Sequence, residues 1–118
     1  MSIEDFARAL SKGRELNITV RGRKSGREYS MPVSFVLKGN TIHLLPVKGS
    51  SSSWYRNILK NRVMKIAIED RSLEVKAIPT DEPDKVKETV RLFEENFGAD
   101  HLDKWYSGRD VCVRIRLP

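Results

Sequence analysis

The sequence predicts one mainly β domain of the α+β class: about six antiparallel strands curled into a closed or half-closed barrel, with flanking helices. Three observations carry that expectation. Alternating apolar residues recur in short runs, and tight turns fold these runs back on one another as hairpins. No strand–helix–strand rhythm breaks the series. Each hairpin also leaves a single apolar face that must be covered. With no internal repeat and no linker rich in Gly, Pro or Ser, residues 1–118 read as one domain.

Ile3, Phe6, Ala7 and Leu10 fall at helical spacing, so the chain opens with a short amphipathic helix. From Leu16 the period becomes two: Leu16, Ile18 and Val20 alternate with Asn17, Thr19 and Arg21. After Gly22-Arg-Lys-Ser-Gly-Arg27 the alternation resumes through Tyr29, Met31, Val33, Phe35 and Leu37, which makes a hairpin. Gly39-Asn40 is a second tight turn, and a third strand covers Thr41 to Val47. A Lys48-to-Ser53 loop leads into a short helix from Trp54 to Leu59, with Ser52 or Ser53 as N-cap and Asn61 closing it. Met64, Ile66 and Ile68 pair across an Asp70-Arg71 turn with Leu73, Val75 and Ala77. Asp81 to Phe97 is the clearest helix, with an acidic start, Pro83 in its first turn and Gly98 ending it. Val111, Val113, Ile115 and Leu117 mark the last strand.

Composition narrows the function classes. An apolar fraction of 39% against 32% charged residues is globular and not disordered. The single cysteine, Cys112, excludes an intrachain disulfide and a thiolate zinc cluster, and its place among core residues reads as structural. His43 and His101 are far apart with no carboxylate or thiolate partners in view, so no metal site is expected. The N-terminus lacks a basic segment followed by an apolar run, and no stretch approaches the roughly 20 apolar residues of a membrane span. The chain therefore reads as cytoplasmic.

The net charge of +6 concerns partners. Lys12, Arg14, Arg21, Arg23, Lys24 and Arg27 cluster around a glycine-containing turn. There Gly22 and Gly26 let the backbone bend sharply and aim N–H groups at an anion. Arg23 supplies a bidentate fork, Lys24 a point charge and Ser25 a hydroxyl. A solvated hairpin turn has much the same composition, so position carries the functional reading. The second basic stretch, Lys48-Gly49-Ser50 and the serines after it, opens a helix whose free N–H groups suit an anion. Trp54 and Tyr55 follow and can lie beside a planar ring, or simply pack. Both basic loops follow a strand and can meet at one end of a barrel. Pro32, inside a regular strand, implies an edge, a bulge or a ligand-facing position.

Taken in order, the strand–GRKSG–strand–Pro pattern, Lys48-Gly49 and the helix opening Trp54-Tyr55-Arg56-Asn57 resemble the deazaflavin-dependent nitroreductase family of split β-barrel flavin-binding proteins, related to pyridoxamine phosphate oxidase. The resemblance runs from Leu16 to Ala77. It implies a split barrel binding coenzyme F420, or FMN as in related barrels, and an oxidoreductase passing a hydride to a small organic acceptor. It also implies that Arg23, Lys24, Ser25 and Gly26 hold the anionic tail, with Pro32, Lys48, Gly49, Ser50 and Trp54 near the ring. Tyr106 falls where relatives place substrate-pocket tyrosines. The loop from Gly49 to Trp54 is shorter than in many relatives, and Asp81 to Gly108 is longer and more helical. Split barrels often pair, and the strand ending Arg114-Ile-Arg116 reads as an interface or a charged edge. Two rival classes remain: a cofactor carrier without turnover, and a basic single-stranded nucleic-acid-binding barrel. The second is disfavoured because most aromatics fall at core positions or near helices.

Overall fold

The computed structural model describes residues 2–118 and contains two four-stranded antiparallel sheets and four α-helices. Helix α1 (Ile3–Lys12) is followed by strands β1 (Glu15–Arg21), β2 (Glu28–Ser34), β3 (Val36–Lys38) and β4 (Thr41–Leu44). A 3-10 turn at Gly49–Ser51 leads into α2 (Ser53–Lys60), then β5 (Val63–Ile68), β6 (Arg71–Lys76) and β7 (Ile78–Thr80). Helices α3 (Pro83–Phe97) and α4 (Ala99–Trp105) precede β8 (Cys112–Arg116). One sheet has the order β2-β1-β5-β6, the other β3-β4-β8-β7.

The expected six strands become eight because two of them change sheets part-way. The run from Tyr29 to Leu37 breaks at Phe35, whose N–H makes one last bond in the β1–β2 register, to the carbonyl of Arg14, before the chain crosses to the second sheet. Phe35 and Val36 are both buried, but in different cores: Phe35 inside the barrel, Val36 between the second sheet and the helices. Strict alternation cannot serve two cores, so the strand bends. Ala77 plays the same part between β6 and β7: its N–H bonds the carbonyl of Arg62 in the β5–β6 register, and the chain then passes to the second sheet. Pro46 sits just beyond β4, which ends at Leu44 and not at Val47.

Leu16, Ile18 and Val20 of β1, Ile42 and Leu44 of β4, Met64 and Ile66 of β5, and Val113 and Ile115 of β8 fill the barrel. Phe6 and Leu10 of α1 close it from one side. The second core is formed by Val36, Leu45, Val86, Leu92, Phe93, Leu102, Tyr106 and Cys112. It covers the outer face of the second sheet, so Cys112 is fully buried and structural.

Three further expectations need correction. The helix from Asp81 begins at Pro83, and Gly98, at φ +89°, turns the chain directly into a second helix, α4. The turn between β5 and β6 is Glu69-Asp70, one residue earlier than its composition suggested, with Glu69 at φ +56°. Strand β8 pairs with β4 on one side and β7 on the other, so Arg114 and Arg116 do not lie on a sheet edge. Pro32, by contrast, lies in β2, an edge strand, where a missing donor is tolerated.

A candidate cofactor trough along strand 2

The β1–β2 turn is closed by two main-chain bonds, Gly22 N–H to Arg27 O at 2.7 Å and Gly26 N–H to Gly22 O at 3.0 Å. Gly26 sits at φ +73°, a conformation costing most residues about 1 kcal/mol or more. Arg21 braces the turn by donating to Gly26 O at 3.0 Å. Ser25 Oγ accepts the N–H of Arg27 at 3.2 Å and lies 3.3 Å from the Tyr29 hydroxyl.

Arg23 reaches away from this turn to α2. Its main-chain N–H donates to Asn57 Oδ1 at 3.0 Å, and its guanidinium Nη1 donates to the same oxygen at 2.7 Å and to Ser53 O at 3.3 Å. Asn57 is 4% exposed, an amide held in the wall of α2. A neutral acceptor orients the guanidinium without cancelling its charge; a carboxylate there would do both. Asn57 is a candidate site residue that residue-type reasoning did not single out. Its signal is the spacing Ser53-x-x-x-Asn57, which puts both side chains on one face of a helix.

Gly22, Arg23, Lys24, Ser25, Tyr29 and Met31 line a cleft of about 440 Å³, facing Ser53, Trp54 and Asn57 of α2. A second cleft of about 230 Å³ lies farther along β2, bounded by Met31, Pro32 and Ser34 and by Val47, Trp54 and Tyr106. Met31 and Trp54 line both, which joins them into one trough. Its near end carries the cations and hydroxyls of the turn; its far end has no cation and is walled mainly by Pro32, Val47, Trp54 and Tyr106, with Glu15 and Ser34 also in its lining.

The expected site residues divide accordingly. Arg23, Lys24, Ser25, Pro32, Trp54 and Tyr106 line the trough, and Gly26 shapes the turn behind it. Lys48, Gly49 and Ser50 lie on the loop that carries α2 and are not among the lining residues. Ser50 donates its N–H and its hydroxyl to Asp110, at 3.0 and 2.5 Å. Ser52 stands at the N-cap position, but its hydroxyl accepts from Lys48 N–H at 3.2 Å and caps nothing. The two basic loops thus converge through the helix that follows the second one.

Tyr106 is 6% exposed; its ring stands edge-on to Phe93 at 5.8 Å, so it is packing and pocket wall together. Burial pushes its phenol up from the ordinary value, while the Ser34 hydroxyl beside it pulls the other way. The two Ser50 bonds hold the Asp110 carboxyl below the usual carboxylate range. Among the described residues, no cluster of three or more His, Cys, Asp or Glu side chains is arranged to hold a metal, and no helix is long and apolar enough to cross a membrane.

The paired sheets, the uncovered edge strand and the trough beside it define a split β-barrel. The fold matches an F420-H2 dependent reductase (TM-score 0.67, 18% identity, 87% of this chain and 94% of the other). It also matches a domain-swapped dimer (0.68, 19%, 96% and 95%) and a FAD-binding protein from Mesorhizobium loti (0.73, 13%, 100% and 91%). A search of curated proteins gives no match. The model of the F420H(2)-dependent quinone reductase family matches residues 5–118. The chain belongs to that family and is an F420-dependent oxidoreductase.

The trough fits the cofactor class. F420 combines a flat 5-deazaflavin with an anionic tail, and FMN combines a flat ring with a phosphate. A cationic turn with a serine hydroxyl at one end and Met31, Pro32 and Trp54 at the other suits either shape.

Proposed function

We propose that the trough along β2 holds F420 with its anionic tail on the Arg23-Lys24-Ser25-Gly26 turn and its ring beside Met31, Pro32 and Trp54. Reduced deazaflavin, once bound, supplies the hydride. The acceptor is a small organic molecule of the quinone class, entering at the apolar end against Val47 and Tyr106. The single observation that carries this reading is the change of character along one trough, from guanidinium and ammonium to aromatic wall, with Trp54 common to both parts.

The protein's own contribution is position and exclusion of water. Asn57 orients Arg23, and the start of α2 adds the positive end of its dipole through Ser53. Lys48 adds an exposed cation on the loop ahead of α2, with Gly49 and Ser50 shaping that loop. Trp54 separates tail from acceptor, and Tyr106 walls the acceptor end without supplying charge. FMN is the second reading, because the basic turn recognises an anion and not the atom that distinguishes a flavin from a deazaflavin. The domain-swapped form of one similar fold also supports pairing of two copies in solution, which sedimentation would test.

The deciding experiment is fluorescence titration of the protein with F420 and with FMN at low and high salt. Binding of F420 that weakens with salt is the expected result. Arg23→Ala should remove a charge-assisted bond worth about 2 kcal/mol, roughly thirtyfold in Kd. Unchanged affinity in that variant would overturn the assignment of the tail.

A further inference from the structure

Two loops of different origin meet at the apolar end of the trough. One joins β4 to α2 and carries Val47 to Ser52; the other joins α4 to β8 and carries Tyr106 to Val111. Val47 O accepts the N–H groups of Ser107 and Gly108, at 2.9 and 3.2 Å. Lys48 and Gly108 form a parallel bridge. Gly49 and Gly108 stack backbone on backbone: a Cβ on Gly108 would lie 2.6 Å from Gly49 N and 2.7 Å from Lys48 C. Across this seam, Asp110 receives both bonds from Ser50. On the other flank Arg109 donates to Tyr106 O at 3.4 Å and to Asp103 at 2.9 Å.

Neither Ser50 nor Asp110 lines the trough, yet each sits a few residues from a side chain that does. Ser50 precedes Trp54 through the 3-10 turn, and Asp110 follows Tyr106. A carboxylate that accepts two bonds from one residue of the opposite loop fixes both translation and rotation between them.

We infer that Asp110 is a positioning residue whose carboxylate clasps Ser50 and so sets the gap between Trp54 and Tyr106 into which the acceptor fits. The inference rests on the functional reading given above. The clasp acts more on the acceptor end than on the tail, because the two shortest bonds of Arg23 go to Asn57, a full turn into α2, and only its longer ones to Ser53 next to the seam.

The test uses Asp110→Ala, Asp110→Asn and Ser50→Ala in the full chain, with three readouts. The first is hydrogen exchange of the Ser50, Ser107 and Gly108 amides. The second is the Kd for F420, and the third is KM and kcat for a soluble quinone with reduced F420. Asp110→Ala should speed exchange at those amides about tenfold and raise acceptor KM about tenfold, with F420 affinity changed less than threefold. Asp110→Asn keeps an acceptor for the Ser50 N–H and should recover most of both effects; Ser50→Ala should follow Asp110→Ala in direction. Parallel losses of F420 affinity and acceptor KM, Asn no better than Ala, or no change at the three amides would each overturn the clasp. If the wild type does not bind F420, the functional reading fails, while amide exchange still decides whether the clasp exists.

Discussion

Arg23 gives two hydrogen bonds to one atom, Asn57 Oδ1: its main-chain N–H at 3.0 Å and its guanidinium at 2.7 Å. A single amide oxygen thus fixes the turn and aims the cation that the turn carries. Asn57→Leu, of similar size, should lose about 1–3 kcal/mol of stability and about tenfold in F420 affinity, read by thermal melting and titration. Asn57→Asp should keep the fold and still lose affinity, because a carboxylate neutralises the guanidinium. Full affinity in the aspartate variant would refute that account.

Two glycines separate conformational strain from steric exclusion. Gly26 lies at φ +73° with open space around it, so Gly26→Ala should cost about 1–2 kcal/mol from the backbone alone. Gly108→Ala drives a methyl into the backbone of Lys48 and Gly49, which cannot rotate away as a side chain can. Its cost should exceed that of Gly26→Ala and reach about 3 kcal/mol. Comparison of the two melting curves checks the order.

His43 is 2% exposed on β4, with its Nδ1 3.2 Å from Thr89 Oγ1 of α3. Burial lowers its pKa from 6.5, and Arg114 and Lys38 push the same way while Glu88 opposes them. The unfolded chain therefore takes up this proton first. Stability should be at its full value above pH 6.5 and fall as the pH drops below it, by at most about 1.4 kcal/mol per pH unit from this one group. Denaturant titrations at pH 7 and at mildly acid pH, in wild type and His43→Gln, should diverge; the same acid loss in both would assign it elsewhere.

The buried phenol of Tyr106, with its pKa raised above 10, stays protonated through neutral and mildly alkaline pH. The pH profile of turnover should therefore show no limb from this group below about pH 10. Tyr106→Phe keeps the ring against Phe93 and should melt within about 1 kcal/mol of wild type. Its acceptor KM should move more than its F420 affinity does.

Individual residues show how much was legible. The β1–β2 hairpin was readable because Leu16, Ile18 and Val20 alternate cleanly on one buried face. The strand count was not, because Phe35 and Ala77 each belong to a chain crossing between sheets, and local period cannot report which of two cores a residue enters. Helix α4 was hidden behind Gly98, which by itself reads as a stop. Of the residues that line the trough, Arg23, Lys24 and Trp54 are legible from residue type and turn chemistry. Asn57 stands in the quoted helix motif, but its bond to Arg23 spans 34 residues, and its spacing from Ser53 gives only the helix face and not that partner. Ser50, in a loop whose composition suits an anion, turns its donors on Asp110, a pairing across 60 residues that no local pattern encodes.

Strands β7 and β8 are hydrogen-bonded neighbours, with Thr80 opposite Cys112. Topologically, then, everything from Asp81 to Val111 is the loop of a hairpin, swollen into two helices. Such a loop can lengthen, shorten or repack without altering the register of any strand beneath it. Arg23, Lys24, Trp54 and Asn57 belong to the framework, whereas Tyr106 rides on the swelling. Descendants of this chain can thus remodel the Tyr106 end of the trough while the turn and the helix at its other end stay as they are.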